Sequence, residues 1–508
     1  MPLARINSAS LFGLDATPVE VEIDVAPSDK IYFVIVGLPD AAVKESKDRV
    51  LAAVRNTGFF PNNISCTVNL APGDLKKEGP MYDLPIALGL LHAMGIFSPS
   101  GAAFSDYYVV GELALSGELR PIQGALAIAI LARSMGKKGI LLPAANAKEA
   151  ATLPDIDVIP IAHLRESLQF FVNPLSIKPT STLLSEDVFK AAIGSVDFAD
   201  IKGQMHVKRA MEIAAAGGHN LLLSGPPGAG KTMIAKAMIG IMPELTIEEA
   251  LEATKVHSVA GLLPEGASLI TQRPFRSPHH TISYAGLIGG GAYPRPGEVS
   301  LAHNGILFLD ELPEFSRLAL EVLRQPLEDR CVTISRANGS FTFPTNFVCI
   351  AAMNPCPCGY LGHPDKPCKD TQMQVDRYRR KISGPLLDRI DMHIDVPALR
   401  YEEIANDHEA ESSAVIRARV KTARRLQTQR FGSAKTNSLM NSRELKEHVP
   451  LDENSKKLLQ QVLISLGLSA RACDRLLKVV RTIADLGGTN TITQEHLMEA
   501  INFRQLQF

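Results

Sequence analysis

The sequence predicts an α/β protein in which a mixed α/β domain is followed by a second α/β domain with a parallel sheet and by a mostly helical C-terminal domain. Three observations support this. The chain has 508 residues, too many for one hydrophobic core. Short apolar strands alternate with helically spaced segments over most of its length. A glycine-rich loop between a buried strand and a helix lies near the start of the second domain.

Turn-forming residues indicate the domain boundaries. Pro, Ser and Thr concentrate between Asn173 and Thr182, which favours a linker there. We therefore expect an N-terminal domain at 1–175, a linker at 176–195, an α/β core at 196–400 and a helical domain at 401–508.

Hydrophobic periodicity predicts the elements of the N-terminal domain. Strict alternation indicates half-buried strands, and apolar residues at helical spacing indicate helices. The expected elements are strands at Val19–Val25, Ile31–Val36 and Ile64–Leu70, helices at Glu45–Thr57 and Leu84–Met94, and a hairpin at Tyr107–Ile122.

Composition excludes several classes of protein. Hydrophobic residues make up 45% of the chain, charged residues 21%, and the net charge is −1, so a wholly basic surface is excluded but a locally basic pore is not. The N-terminus lacks a basic stretch followed by an apolar one, and no apolar run could span a bilayer, so we expect a cytoplasmic protein without a membrane partner. Its seven cysteines are then expected to be reduced.

The glycine-rich loop fits a phosphate-binding motif. It lies between a strand at Asn220–Ser224 and a helix at Met233–Ile241. The loop residues are Gly225, Pro226, Pro227, Gly228, Ala229, Gly230, Lys231 and Thr232. Glycines let backbone N–H groups surround phosphate oxygens, Lys231 adds a charge near the terminal phosphates, and Thr232 offers a hydroxyl to Mg²⁺. The alternative, a chance glycine-rich turn, does not explain the strand and helix on either side.

Two later strands end in polar residues suited to ATP hydrolysis. Ile306–Leu309 is followed by Asp310, which can hold Mg²⁺, and Glu311, which can polarise the attacking water. The strand Phe347–Ala352 leads to Asn354, a candidate sensor of the γ-phosphate. The alternative for Asn354 is a residue that caps a turn.

Two arginines are candidates for contacting a phosphoryl transition state. Arg389 lies between Asp388 and Asp391, and Arg471 begins a helix that reaches about Leu486. The guanidinium group is permanently charged and suits this task. Either arginine could instead be a structural ion-pair residue, and the flanking aspartates make that alternative serious for Arg389.

The order of these motifs resembles AAA+ ATPases and is most similar to the branch with magnesium chelatases and MCM helicases. Further blocks resemble the ComM/YifB family over almost the whole chain. These blocks are Arg273–Thr281, Gly289–Gly291, Pro294–Glu298 and Asp310–Phe315. The resemblance implies a homohexameric ring with ATP and Mg²⁺ between subunits, Arg389 acting on a neighbour's nucleotide and Arg471 acting as the lid sensor. It also implies branch migration of DNA, single-stranded or branched, in natural transformation and homologous recombination.

The N-terminal domain resembles the Lon protease domain, without its catalytic residues. Met81 stands where the nucleophilic serine would be, and Leu126 falls about where the lysine would be. Neither side chain can perform that chemistry, so we expect the fold without proteolysis. Lys76 and Lys77 in the preceding loop are candidates for phosphate contacts, although two solvated lysines are the simpler interpretation.

A hairpin is the best candidate for contacting DNA. Val332–Ser335 and Ser340–Phe343 alternate around a turn, with Arg336 at its tip. In the resembling helicases such a hairpin points into the pore, which would let Arg336 hold a phosphate. An ordinary connecting hairpin is the equal alternative.

Other basic residues are weaker candidates for DNA contacts. The first group is Arg273, Arg276 and Arg295, and the second is Arg417, Lys421, Arg424 and Arg425 on one helical face. We expect this face to have no acid near it. It is expected to be solvated, to contact a neighbouring subunit or to bind DNA.

A cysteine cluster is a candidate zinc site. Cys356, Cys358 and Cys368 are close in sequence, with His363 between them. A structural zinc needs four ligands, so His363 or Asp370 would have to complete the set. The alternative is a cluster that binds no metal.

Three functions are compatible with these motifs. The first is an ATP-driven DNA translocase or branch-migration helicase. The second is a metal-chelatase-type motor that remodels a protein partner. The third, an ATP-dependent protease, is disfavoured by Met81 and Leu126.

Overall fold

The computed structural model describes residues 3–61, 63–182, 189, 196–264, 266–291, 294–336, 339–398, 410–465, 467 and 469–504. Of the predicted linker at 176–195, residues 183–188 and 190–195 lie outside the described residues. The chain forms two compact units. One contains Met1–Val188 and Ala250–Ile270, and the other contains Phe189–Glu249 and Thr271–Phe508.

The first unit is a mixed α/β structure. Its strands are β1 (Ala4–Phe12), β2 (Asp15–Pro27), β3 (Tyr32–Val36), β4 (Ile64–Ala71), β5 (Tyr107–Val109), β6 (Glu112–Leu113), β7 (Leu119–Arg120), β8 (Gly139–Pro143) and β9 (Asp157–Ile161). Its helices are α1 (Ala41–Asn56), α2 (Asp83–Ala93), α3 (Ala125–Ser134), α4 (Ala147–Ala150) and α5 (Leu164–Val172).

A large sheet organises this unit. Among the described residues its order is β3-β4-β2-β1-β5-β8-β9. The pairs β1–β2 and β2–β4 are antiparallel, and the other four pairs are parallel. Helix α2 is apolar nearly all round and buried, as expected for a helix inside a core. It packs so closely on β2 that a Cβ at Gly89 would lie 2.1 Å from Cδ1 of Ile23.

The predicted strands and helices of this domain are confirmed at β2, β3, β4, α1 and α2. The predicted hairpin at Tyr107–Ile122 is only partly correct. Only β6 and β7 pair as a hairpin, because β5 instead joins the large sheet in parallel between β1 and β8. Strand β1 was not predicted, since its buried Ser8 and Ser10 interrupt the apolar alternation.

The second unit begins with the elements of a parallel sheet and its connections. Its strands are β10 (Leu221–Ser224), β11 (Phe275–Arg276), β12 (Gly289–Gly290), β13 (Arg295–Pro296), β14 (Ile306–Leu309), β15 (Cys331–Arg336), β16 (Gly339–Pro344), β17 (Val348–Met353) and β18 (Met392–Asp395). The helices up to β18 are α6 (Met205–Gly217), α7 (Lys231–Ile241), α8 (Ile247–Ala260, whose residues from Ala250 onward belong to the first unit), α9 (Tyr284–Ile288), α10 (Glu298–Leu301), α11 (Arg317–Val322), α12 (Arg324–Asp329), α13 (Gln372–Arg379) and α14 (Gly384–Leu387).

The main sheet of this unit positions the candidate site. Within the described part of the chain its order is β11-β14-β17-β10-β18, and every pairing is parallel. The carboxyl ends of β10, β14 and β17 therefore lie side by side. Ligands of open parallel sheets bind at this edge.

The C-terminal region is helical where it is described. Its helices are α15 (Ser413–Phe431), α16 (Ser442–His448), α17 (Glu453–Ser465), α18 (Ala470–Leu486) and α19 (Gln494–Asn502). Helix α15 packs against α6 and α7, and α18 packs against α6 and α19. A buried carboxylate, Asp391, links α18 to the residue before β10, since it accepts bonds from Arg475 at 2.9 Å and from the Asn220 backbone N–H at 2.8 Å. None of the described helices is long and apolar enough to cross a membrane.

Candidate active site

The glycine-rich loop follows β10, and its inner surface is open. Gly225 needs to be glycine because a Cβ there would lie 2.3 Å from the Val396 carbonyl oxygen. Gly228 and Gly230 have positive φ values of 79° and 83°. A Cβ added at either residue would have no atom within 4 Å apart from those of its chain neighbours. Their backbone conformation favours glycine. The free space beside these two residues is where phosphate groups would lie against backbone N–H groups.

Lys231 is held inside this loop. Its Nζ donates to the Gly225 carbonyl at 2.6 Å, to the Pro226 carbonyl at 3.0 Å and to Oδ1 of Asn354 at 3.0 Å. Burial lowers the pKa of Lys231, and Asp310 and Glu311 oppose that shift. The predicted lysine and the predicted sensor asparagine are thus in direct contact.

Thr232 and Asp310 form the candidate magnesium site. The Thr232 hydroxyl donates to Oδ2 of Asp310 at 2.8 Å. A hydroxyl and a carboxylate at this spacing are oxygen ligands of the kind Mg²⁺ takes alongside nucleotide phosphates and water. Both residues therefore fit the ion that the motif implies.

Glu311 adopts an unusual backbone conformation directly after Asp310. Its φ and ψ are 51° and 47°, the left-handed region that a non-glycine residue seldom occupies. Its side chain is 58% exposed, and Oε2 lies 3.2 Å from Nδ1 of His280. The carboxylate is therefore open to solvent while one of its oxygens contacts a histidine.

The two candidate arginines share a carboxylate, Glu328 at the end of α12. Arg389 is almost buried, forms an ion pair with Oε2 of Glu328 and donates to the Pro385 carbonyl at 2.7 Å. Arg471 is 68% exposed and lies 3.8 Å from Oε1 of Glu328. The flanking aspartates are not the partners of Arg389. Its geometry favours the ion-pair interpretation, and its action on a neighbour's nucleotide stays a prediction.

Two arginines proposed as weaker pore candidates have internal partners. Arg273 is buried, pairs with Glu249 at 2.8 Å and also donates to backbone carbonyls. Arg276 forms two bonds to Glu298, at 2.6 and 2.7 Å. These pairs connect distant parts of the chain, so sequence spacing alone did not reveal them. Both arginines are therefore poor candidates for DNA contacts, whereas Arg295 is exposed.

The basic face of α15 is likewise not free of acids. Lys421 pairs with Glu244 at 2.7 Å, a residue far away in the sequence. Arg424 donates to the Ala215 carbonyl at 2.8 Å, and burial lowers its pKa to about 10. The expectation that no acid lies near this face was wrong, because the fold brings α7 and its following loop against α15.

The predicted hairpin is confirmed as β15 paired with β16. Its tip residues Ala337 and Asn338 lie outside the described residues. Arg336 is exposed, and its Nε donates to the Gly291 carbonyl at 3.4 Å. The hairpin thus contacts the segment between β11 and β14, which also carries His280.

The cysteine cluster has Asp370, and not His363, as its fourth member. One ligand atom from each of Cys356, Cys358, Cys368 and Asp370 lies within 4.8 Å of all the others. The Nδ1 atom of His363 instead accepts the backbone N–H groups of residues 365 and 366, at 3.1 and 3.2 Å. Of the two residues expected to complete the set, the structure therefore brings Asp370 and not His363 to the three cysteines, because the imidazole caps its own turn.

The first unit has buried apolar side chains at the two positions expected to match the catalytic pair of a Lon protease. Met81 is 8% exposed and Leu126 is fully buried. Lys77 is buried too, its Nζ donates to the Pro72 carbonyl, and burial lowers its pKa. The expectation that both lysines are solvated is therefore wrong for Lys77. Lys76 lies at the surface, 3.8 Å from Glu78.

Sequence reasoning missed two residues of the site. The contact of His280 with Glu311 joins residues on separate elements, and paired histidines alone gave no sign of it. Glu328 was missed because an acidic residue late in a short helix is common. Only the fold places it between Arg389 and Arg471.

The sheet order, the glycine loop and the Thr232–Asp310 pair together define an AAA+ type P-loop protein. The family described as "Magnesium chelatase, subunit ChlI" matches residues 197–404. "Subunit ChlI of Mg-chelatase" matches 20–146, and "Magnesium chelatase, subunit ChlI C-terminal" matches 410–504.

Full-length relatives narrow this class. The chain is 42% identical to "Competence protein ComM" of Haemophilus influenzae, covering 100% of this chain and 98% of the relative. It is 40% identical to "Uncharacterized protein YifB" of Escherichia coli, with the same coverage. "Lon protease 2" of Bacillus subtilis is 31% identical over 154 residues, which are 28% of this chain and 26% of that protease. The chain belongs to the ComM/YifB family of magnesium-chelatase-like AAA+ proteins.

Proposed function

We propose that this protein is an ATP-driven DNA translocase that works as a homohexameric ring and promotes branch migration in natural transformation and homologous recombination. The observation that carries the proposal is one segment, between β11 and β14, that contacts both Glu311 and the DNA-candidate hairpin. A cytoplasmic location and the domain boundaries 1–175, 176–195, 196–400 and 401–508 are part of the proposal.

The candidate site contains the groups that ATP hydrolysis needs. Bound ATP supplies the phosphoryl group to be transferred, and Mg²⁺ neutralises its charge. Lys231 already lies within the phosphate-binding loop, and Thr232 and Asp310 offer adjacent oxygens. Glu311 follows β14, is exposed, and would orient and deprotonate a water molecule. Asn354, at the end of β17, contacts Lys231 and would report the state of the terminal phosphate.

The segment between β11 and β14 supplies a route from hydrolysis to movement. His280 lies 3.2 Å from the Glu311 carboxylate, and the Gly291 carbonyl accepts a bond from Arg336. A shift of the hairpin on DNA would therefore move a segment that touches the catalytic glutamate. Such coupling of loop motion to chemistry is typical of enzymes gated by conformational steps.

DNA is proposed as the substrate for two reasons. A relative of nearly equal length is named a competence protein. Arg336 is an exposed arginine on a two-stranded hairpin, and arginine is well suited to contact phosphate groups. In a ring, the exposed Arg471 would act as lid sensor, and Arg389 would have to exchange Glu328 for a neighbour's phosphate.

A second candidate is a chelatase-type motor that remodels a protein partner. The observation that favours it is the match of three chelatase-subunit families along the chain. In either case the N-terminal domain would lack protease activity, because buried Met81 and Leu126 cannot act as nucleophile and base.

The test is the ATPase rate of the full-length protein with and without single-stranded or branched DNA. We expect DNA to stimulate hydrolysis, Glu311→Gln to abolish it, and Arg336→Ala to reduce the stimulation while sparing the basal rate. Arg443→Ala is the matched control, since Arg443 is an exposed arginine on α16.

The outcomes separate the two candidates. Hydrolysis that requires Glu311 but ignores every DNA tested would contradict the translocase and favour the protein-remodelling motor. Stimulation lost equally in Arg336→Ala and Arg443→Ala would remove the hairpin from the DNA path. Size measurement with a non-hydrolysed ATP analogue tests the hexamer.

A further inference from the structure

The cysteine cluster lies in the loop between β17 and α13, immediately after Asn354. The three sulfur atoms are 3.4, 3.5 and 3.6 Å apart. Oδ2 of Asp370 lies 3.8 Å from Sγ of Cys368 and accepts the Cys358 backbone N–H at 2.8 Å. Four ligand atoms from two short stretches of chain therefore converge on one point.

These distances fit a tetrahedral metal site better than a disulfide. A disulfide bond is about 2.0 Å long, and every cysteine in the described chain is free. Zinc–sulfur bonds of about 2.3 Å in a tetrahedron place the sulfur atoms about 3.8 Å apart. The observed spacing is within a few tenths of an ångström of that value, so a metal could be bound with little movement of the loop.

We propose that Cys356, Cys358, Cys368 and Asp370 bind one structural Zn²⁺. Cysteine thiolates and carboxylate oxygens are both ligands that zinc takes, and three thiolates are unsuited to Mg²⁺ or Ca²⁺, which take oxygen ligands. With all four positions filled by protein, the metal has no open coordination site, which indicates a structural and not a catalytic role.

The position of the loop suggests what the metal stabilises. Gly359, one residue after Cys358, has a positive φ of 82°. A Cβ there would lie 2.6 Å from Cδ of Pro227 in the phosphate-binding loop and 3.8 Å from Cγ of Asn354. The metal-held loop therefore packs against two parts of the nucleotide site. We infer that zinc supports the shape of that site, a step that rests on the proposed nucleotide binding.

The first experiment measures zinc in the purified full-length protein by mass spectrometry of the metal, after a brief wash with chelator. We expect one zinc per chain, lost in Cys358→Ser and retained in Cys473→Ser, a matched cysteine on α18 outside the cluster. Asp370→Ala is expected to weaken zinc binding at least about tenfold, in line with the losses seen when groups that support metal sites are removed. Asp370→Cys should retain the metal.

A second measurement keeps the proposal testable if a variant fails to fold. Zinc in the parent protein is exchanged for Co²⁺, and thiolate-to-cobalt absorption with tetrahedral visible bands is expected. A parent protein without zinc, which also gives no such bands with Co²⁺, would overturn the site.

Nucleotide affinity is then measured with a fluorescent ATP analogue. Weaker binding by Cys358→Ser than by Cys473→Ser supports the link to the phosphate-binding loop, and equal binding overturns that link. Metal content needs neither ATP hydrolysis nor DNA. A zinc-containing protein that ignores DNA would therefore contradict only the translocase proposal.

Discussion

Replacing His280 by alanine tests whether the segment between β11 and β14 restrains hydrolysis. His280 contacts one oxygen of Glu311, the group proposed to polarise water. Removing the contact frees the carboxylate, so we expect faster hydrolysis without DNA and a smaller stimulation by DNA. The side chains are 29% and 58% exposed, and a contact this exposed contributes about 0.2–1 kcal/mol. Because about 1.36 kcal/mol corresponds to tenfold in rate, the basal rate should rise by roughly 1.4-fold to fivefold.

The assay is steady-state ATP turnover with and without DNA, at saturating ATP. His279→Ala is the matched control, because Nδ1 of His279 contacts the Thr281 hydroxyl at 2.9 Å. The double variant His280→Ala/Glu311→Gln should be inactive if the added rate passes through Glu311. An unchanged basal rate and unchanged stimulation in His280→Ala would refute the reasoning, and so would an increase of a hundredfold.

Two further substitutions test the energetics of the two units. Asp391→Asn removes the charge partner of the largely buried Arg475, so the free energy of unfolding should fall by about 3–5 kcal/mol in a urea titration; a change below about 1 kcal/mol would contradict this. Burial raises the pKa of the Glu149 carboxyl in the folded protein. The folded protein therefore binds a proton at this carboxyl more tightly than the unfolded chain does. Stability contributed by this group is present below its ordinary pKa of 4.5 and is lost as pH rises through the raised value. In Glu149→Gln, stability should therefore decrease less as pH rises, as measured by thermal denaturation at a series of pH values. Identical dependence of stability on pH in the parent and the variant would contradict the argument.

The candidate nucleotide site was largely predictable because it is built from local patterns. A strand, a glycine loop and a helix are contiguous in sequence, and their geometry follows from residues that are close along the chain. The same holds for Asp310 after β14 and for Asn354 after β17. The parallel strands bring their carboxyl ends to one edge, and for this reason the separate motifs lie together in the structure.

The partners of charged side chains were much less predictable. From their neighbours in sequence, Arg273 and Lys421 seemed available for DNA contacts, and Asp388 and Asp391 seemed the natural ion-pair partners of Arg389. Each pairs with a glutamate that lies 24 or more residues away along the chain. Charge pairing depends on distance in space, and sequence spacing reports that distance only within one helix or one pair of strands.

The sequence by itself determined the α/β class and the glycine-rich loop between β10 and α7, because each depends on residue types at fixed local spacing. Tertiary structure decided which groups meet. It selected Asp370 over His363 as the fourth member of the cysteine cluster and brought His280 to Glu311. Those contacts join segments whose relative position is set by packing of the whole unit, a cooperative property that no local pattern encodes.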